Sequence, residues 1–87
     1  MPDIEKSELK EKILRPKNNL RDARISLGYS TTYMANLIGL RNRRQYEQKE
    51  HGNVPFHDYE MLIISQKFLK PINYLFIEDL NVPDDLM

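Results

Sequence analysis

The chain has no cysteine and no tryptophan, and only three glycines among its 87 residues. Without cysteine there is neither a disulfide framework nor a thiolate metal site. The two histidines, His51 and His57, stand six apart with no ligand cluster around them, so no metal is expected. No apolar run approaches the roughly 18 residues that a membrane span needs, and the N-terminus lacks the apolar region of a signal peptide. The expectation is therefore a cytoplasmic protein with no membrane partner. Period-two alternation of apolar and polar residues is also missing, so no strand is predicted. There is no internal repeat and no low-complexity run. Nor is there a Ser-His-acid arrangement with supporting spacing or a glycine-rich phosphate loop, so neither an enzyme nor a cofactor is expected. His57 and Asp58 are adjacent, but adjacent helix residues do not face each other.

Net charge is lacking too, since 13 Lys+Arg balance 13 Asp+Glu. The distribution is uneven, however. Residues 1–52 hold 11 basic and 7 acidic side chains, a balance of +4, and residues 53–87 hold 2 and 6, a balance of −4. Salt screens exposed charges beyond about 8–10 Å, so attraction to an anion depends on the local patch rather than the whole-chain sum. Such an asymmetry between halves is what a molecule with one anion-facing end would show.

What is present is a series of short helical patterns. At this length the chain is one domain with a modest core. Residues 1–16 read as an arm or a short helix over about Ser7 to Leu14, in which Leu9, Ile13 and Leu14 would lie on the domain and Glu8–Lys12 and Glu11–Arg15 are favourable i,i+4 pairs. Pro16 ends it. Asn18 or Asn19 is placed to cap the next helix, which runs to about Leu27 and stops at Gly28. Leu20, Ala23 and Leu27 share one face, and Arg24 belongs to that inner region by spacing. A solvated charge is the usual fate of an arginine; an inward one needs a carboxylate partner.

The stretch from Ser30 to Gly52 carries the main signal. Ser30 can N-cap a helix in which Met34, Ala35 and Ile38 form one stripe, and Gly39 can take the left-handed backbone that stops it. Leu40 plugs the turn. Asn42 is a second N-cap candidate, ahead of a polar helix from about Arg43 to Glu50 that Gly52 closes. That helix has a single apolar residue, Tyr46, which spacing places in the core with its hydroxyl at the edge. A helix so polar is either a solvated face or one offered to a polar partner. After Asn53 and Pro55, a longer helix from about His57 to Leu69 shows a stripe of Tyr59, Leu62, Ile63 and Phe68, with Ser65 as a small contact. Pro71 suits the first position of a last, strongly apolar helix holding Ile72, Leu75, Phe76 and Ile77. Its surplus apolar surface points to a second copy of the chain. The tail over residues 79–87 is acidic.

Over residues 18–77 the chain resembles the phage repressor and Cro-like helix-turn-helix family. The resemblance rests on several features in register. Asn19-Leu20-Arg21, Arg24 and Leu27-Gly28 are similar to the family's first helix. Ser30, Met34-Ala35 and Ile38-Gly39 are similar to its second. Tyr46 and Glu50-His51-Gly52 resemble the end of the recognition helix, and Pro55, Ser65, Phe68 and Ile72-Asn73-Tyr74-Leu75 resemble the fourth and fifth. The chain departs from the family in a turn around Leu40–Asn42 that is one residue longer, in Thr31 for a frequent Gln, in Lys49 for a large apolar residue, and in His51 for Asn. The resemblance implies an all-α, five-helix lambda-repressor-like bundle over residues 17–78. It implies a sequence-specific regulator of bacterial or phage DNA that binds a two-fold operator as a homodimer through the C-terminal helix and acts by occupying the site, associated with the nucleoid of a bacterial host.

Chemistry gives that implication named residues. The major groove of B-DNA admits one helix and displays a full donor and acceptor code. Arg43, Arg44 and Gln48 match family positions that reach base edges, with Gln45 beside them; Arg can pair with guanine and Gln with adenine. Glu47 could accept from cytosine or pair with a neighbouring Arg. Ser30 and Thr31 at a helix N-terminus and Asn42 at the next are placed to bind phosphate, with Arg41, Lys49 and His51 as further candidates and Lys17 as a weaker one. Arg24 and Glu50 resemble the family's inner ion pair. The competing reading is a module of the same fold that works through protein contacts, as an antitoxin or a modulator of another repressor; the apolar last helix, the acidic tail and zero net charge favour it.

Overall fold

Stops set by glycine and proline separate five helices among the described residues. A computed structural model describes residues 13–77. The expected helix over about residues 7–14 falls almost wholly outside the described residues, and the tail over residues 79–87 falls entirely outside them. The helices are α1 (Asn18–Ser26), α2 (Thr31–Leu37), α3 (Arg43–Glu50), α4 (Asp58–Phe68) and α5 (Ile72–Phe76). There is no strand among the described residues, and the fold is an all-α bundle. No helix among the described residues is long and apolar enough to cross a membrane.

The helix boundaries follow local chemistry. Ser30 Oγ accepts from the Tyr33 N–H at 3.0 Å and caps α2. Asn42 Oδ1 accepts from the Gln45 N–H at 3.0 Å and caps α3. Between them, Gly39 has φ +80°, a backbone that L side chains resist. It lets the Leu40 N–H return to the Ala35 carbonyl at 2.8 Å, closing α2. The start of α1 differs from expectation. Lys17, rather than Asn18 or Asn19, holds the N-cap position. Both asparagines lie inside the helix, and Asn19 Nδ2 donates to the Tyr74 carbonyl at 3.0 Å, tying α1 to α5. Pro71 precedes α5 as its N-cap rather than beginning it.

The core gathers Leu20 and Ala23 from α1, Met34 and Ala35 from α2, Ile38, Tyr46 from α3, Ile64 and Phe68 from α4, and Leu75 and Phe76 from α5. The fully buried small side chain of Ala35 sits on the helix that packs most extensively against α3. Phe56 bridges the core edge-on to Tyr46 and Phe76, with centroids at 6.1 and 5.0 Å.

Two stripes differ from their sequence reading. On α4 the inward residues are Glu60, Ile64 and Phe68, at one-turn spacing. Tyr59 and Leu62 are 56% and 51% exposed, and Ile63 is half-buried. Met61-Leu62-Ile63-Ile64 is apolar all round, so periodicity alone leaves its phase open. Glu60 fixes that phase through a buried partner described below. On α1, Leu27 is exposed while Leu20 and Ala23 are buried. In α5, Leu75 and Phe76 are consumed by the chain's own core, so they supply no surplus surface for a second copy.

Candidate functional site

The site is α3 and the helix start beside it. Eight residues with one apolar side chain would not dock by the hydrophobic effect alone. The helix docks because charged groups on one side find partners. Tyr46, Lys49 and Glu50 recur at the i, i+3, i+4 spacing of a single face and all three are buried.

Glu50, 4% exposed, accepts a bidentate pair from Arg24. The Nε–Oε2 distance is 2.8 Å and the Nη2–Oε1 distance is 3.1 Å. Arg24 also donates from Nη1 to the Tyr29 carbonyl at 3.0 Å. The inner ion pair that the resemblance implies is thus present, and the hydrogen bond that Arg24 donates to Glu50 holds its guanidinium above the ordinary pKa range. The Tyr46 hydroxyl does not reach the edge of the core as expected. It is enclosed and donates to Glu50 Oε2 at 2.7 Å. Burial, reinforced by the Glu50 charge, pushes the Tyr46 phenol far above the usual tyrosine range.

Lys49 is a correction. Expected to meet phosphate, it is turned inward and 5% exposed. Its Nζ donates to Glu60 Oε1 at 2.9 Å and to the Pro55 carbonyl at 3.0 Å. Glu60 Oε1 also accepts from the His57 N–H at 2.8 Å, so one buried carboxylate both caps α4 and neutralises α3. Neither partner is left unpaired, which burial of a charge requires. The available signal was the spacing of Lys49, three after Tyr46: a lysine at an inward position demands a buried carboxylate nearby.

Lys17 is likewise inward and buried. Its Nζ donates to the carbonyls of Ile13 and Arg15 at 2.6 and 2.7 Å, and its N–H donates to the Glu50 carbonyl at 2.8 Å, at the C-terminal end of α3. Gly52 lies at the same junction with φ +89°, and a Cβ there would run into the Arg15 backbone. Nothing in residues 13–17 beyond the expected helix stop at Pro16 announced this seam.

The opposite side of α3 is open. Arg41, Asn42, Arg43, Arg44 and Gln45 are all exposed, and Gln48 is half-buried. Arg44 and Gln48, four apart, stand opposite the buried stripe. Gln45 Oε1 accepts from the Arg41 N–H at 2.8 Å, and Gln48 Oε1 accepts from Asn53 Nδ2 at 2.9 Å. Glu47 is half-buried and faces α2, where Oε2 accepts from the Thr31 hydroxyl at 2.7 Å. That bond sets the N-terminus of α2, with Ser30 and Thr31, beside the middle of α3. It also commits the Thr31 hydroxyl to the chain itself. His51 is exposed at the C-cap of α3. Thus Ser30, Thr31, Arg41, Asn42, Arg43, Arg44, Gln45 and Gln48 are brought to one neighbourhood, and Lys49 is removed from it.

Among the described residues there is no group of three or more His, Asp or Glu side chains placed to hold a metal ion. A shallow recess is lined by Leu40, Gln45, Gln48, Lys49 and Val54 beside the exposed face. No protein-family model, curated protein or solved structure matches the chain.

Proposed function

We propose that the protein is a sequence-specific regulator that binds double-stranded DNA through α3, as a Cro-like repressor acting by occupancy of its site. The carrying observation is the division of α3. Tyr46, Lys49 and Glu50 are locked into the bundle, while Arg43, Arg44, Gln45 and Gln48 stand out on a helix whose position is over-determined by two buried ion pairs. A rigid helix of this width with long polar side chains fits the major groove and can read its base edges. The α2 N-terminus, fastened alongside by Thr31 and Glu47, offers backbone N–H groups to a phosphate and sets the helix in register. Asn42 and Arg41 lie at the equivalent place on α3.

In this reading two copies bind a two-fold operator with half-sites about one helical turn apart. Leu62, Leu69 and Tyr74, all exposed, offer the apolar surface for that pairing in place of Leu75 and Phe76. Binding of the full chain to duplex DNA, titrated against salt, is the test. A regulator of this kind shows log affinity falling steeply with log salt, together with a preferred sequence. Affinity indifferent to both salt and sequence ends the proposal, and a stoichiometric protein partner in its place would support the competing interaction module.

A further inference from the structure

The amide side chains of the open face have a common orientation. Asn42, Gln45 and Gln48 each carry one acceptor oxygen and one NH2 donor. In all three the oxygen is aimed at a donor of this chain. Asn42 Oδ1 faces the Gln45 N–H, Gln45 Oε1 faces the Arg41 N–H, and Gln48 Oε1 faces Asn53 Nδ2. The NH2 groups are left to point elsewhere. Arg43 and Arg44 have donors only. Glu47, the half-buried carboxylate of this segment, has its Oε2 turned onto the Thr31 hydroxyl. The face is therefore richer in uncommitted hydrogen-bond donors than in uncommitted acceptors.

That polarity restricts what the face can read. Pairing of glutamine with adenine in the major groove needs both amide ends, a donor for N7 and an acceptor for the N6 amino group. Here each glutamine oxygen already accepts one hydrogen bond within the chain, which leaves it one lone pair for a base. Cytosine offers only its N4 donor, which a donor face repels. Guanine offers two acceptors, N7 and O6, and thymine offers O4.

We propose that this face selects the keto bases, guanine foremost and thymine next, in the major groove, and that Gln45 sets the choice at one position as a donor. The inference rests on the duplex-DNA reading above and adds to it the class of base recognised. It also replaces the glutamine–adenine pairing anticipated from sequence.

The test is selection of bound duplexes from a random pool by the full chain, followed by atom-level substitution in the selected half-site. Guanine-bearing positions facing α3 are expected, and 7-deazaguanine there, which removes the N7 acceptor, weakens binding about 5-fold or more. Removing the N6 amino group from an adenine facing α3 leaves affinity within about 2-fold, because the amide oxygens of the face are directed to donors of the chain itself. Gln45→Glu keeps an oxygen for the Arg41 N–H and replaces the outward NH2 with a second acceptor. Its preference at one base pair moves from a keto base to cytosine, at unchanged melting temperature. A selected site that needs an adenine N6 amino group, or a Gln45→Glu variant with unaltered preference, overturns the inference and leaves the DNA reading standing. Absence of any preferred, salt-sensitive duplex removes both.

Discussion

Both sides of α3 are rich in polar side chains, and they have opposite uses. The inner side carries Lys49, Glu50 and Tyr46, all buried and all hydrogen-bonded to partners from other parts of the chain or, for Tyr46, to Glu50 itself. The outer side carries Arg44, Gln45 and Gln48, with Arg43 exposed at the helix start, and the side-chain bonds of Gln45 and Gln48 serve the helix start and the following loop. Charge alone therefore does not mark a surface. What separates the sides is whether a carboxylate or guanidinium of another element lies within reach. Attraction supplies the docking force on a helix that has almost no apolar area to bury.

The comparison is broken hardest at the inner pairs. Glu50→Ala strands Arg24 and the Tyr46 hydroxyl, and is expected to cost about 3–5 kcal/mol, as breaking one partner of a buried pair does. Glu60→Ala strands Lys49 on the same scale. Glu47→Ala, which loses one half-buried bond to Thr31, costs about 1 kcal/mol, and Arg43→Ala and Arg44→Ala stay within about 0.5 kcal/mol. Urea unfolding across the five variants gives the ranking; equal midpoints for Glu50→Ala and Glu47→Ala would refute the division of the helix. Combining Lys49→Met with Glu60→Gln sharpens it, since an apolar replacement with the α4 cap retained should recover most of the loss.

Next in size is the seam behind α3. Gly52→Ala places a Cβ against the Arg15 backbone at a left-handed φ, and is expected to cost about 2 kcal/mol or more. Gly39→Ala, at a similar φ but with open space around it, bears only the conformational cost of about 1–2 kcal/mol. The two melting curves side by side separate collision from backbone strain.

A further effect, of about 1 kcal/mol near neutrality, concerns protons. In the folded chain Tyr46 holds its proton more tightly than an ordinary tyrosine does. A raised pKa of this kind stabilises fully below the unfolded value of about 10 and is lost progressively above it, as the unfolded phenol ionises. Stability should therefore fall above about pH 10 with a contribution of about 1.4 kcal/mol per pH unit from this residue. Tyr46→Phe should cost about 1 kcal/mol near neutrality and flatten that alkaline limb; an unchanged slope would count against the enclosed hydroxyl.

Most of the helical frame was legible in sequence because its punctuation is local. Ser30, Gly39 and Asn42 act within one turn of where they stand, and the α3 bounds follow from them. The Arg24–Glu50 pair was reached through a family resemblance, since nothing in the spacing of residues 26 apart fixes a contact. What escaped was long-range pairing of unlike elements. Lys49 meets Glu60 across a loop, and Glu60 then rotates α4 so that Ile64 faces the core and Tyr59 and Leu62 face outward. An apolar run of four has no preferred face until some neighbour chooses one. The Lys17–Glu50 backbone bond was equally hidden, because main-chain partners leave no mark in residue type.

The anchoring of α3 by positions 46, 49 and 50 leaves a separable cassette. Residues 43, 44, 45 and 48 contribute nothing to the buried centre of the molecule, so their identities can be rewritten while the scaffold keeps its shape. Drift or design can thus rewrite that exposed face without first having to invent a new architecture.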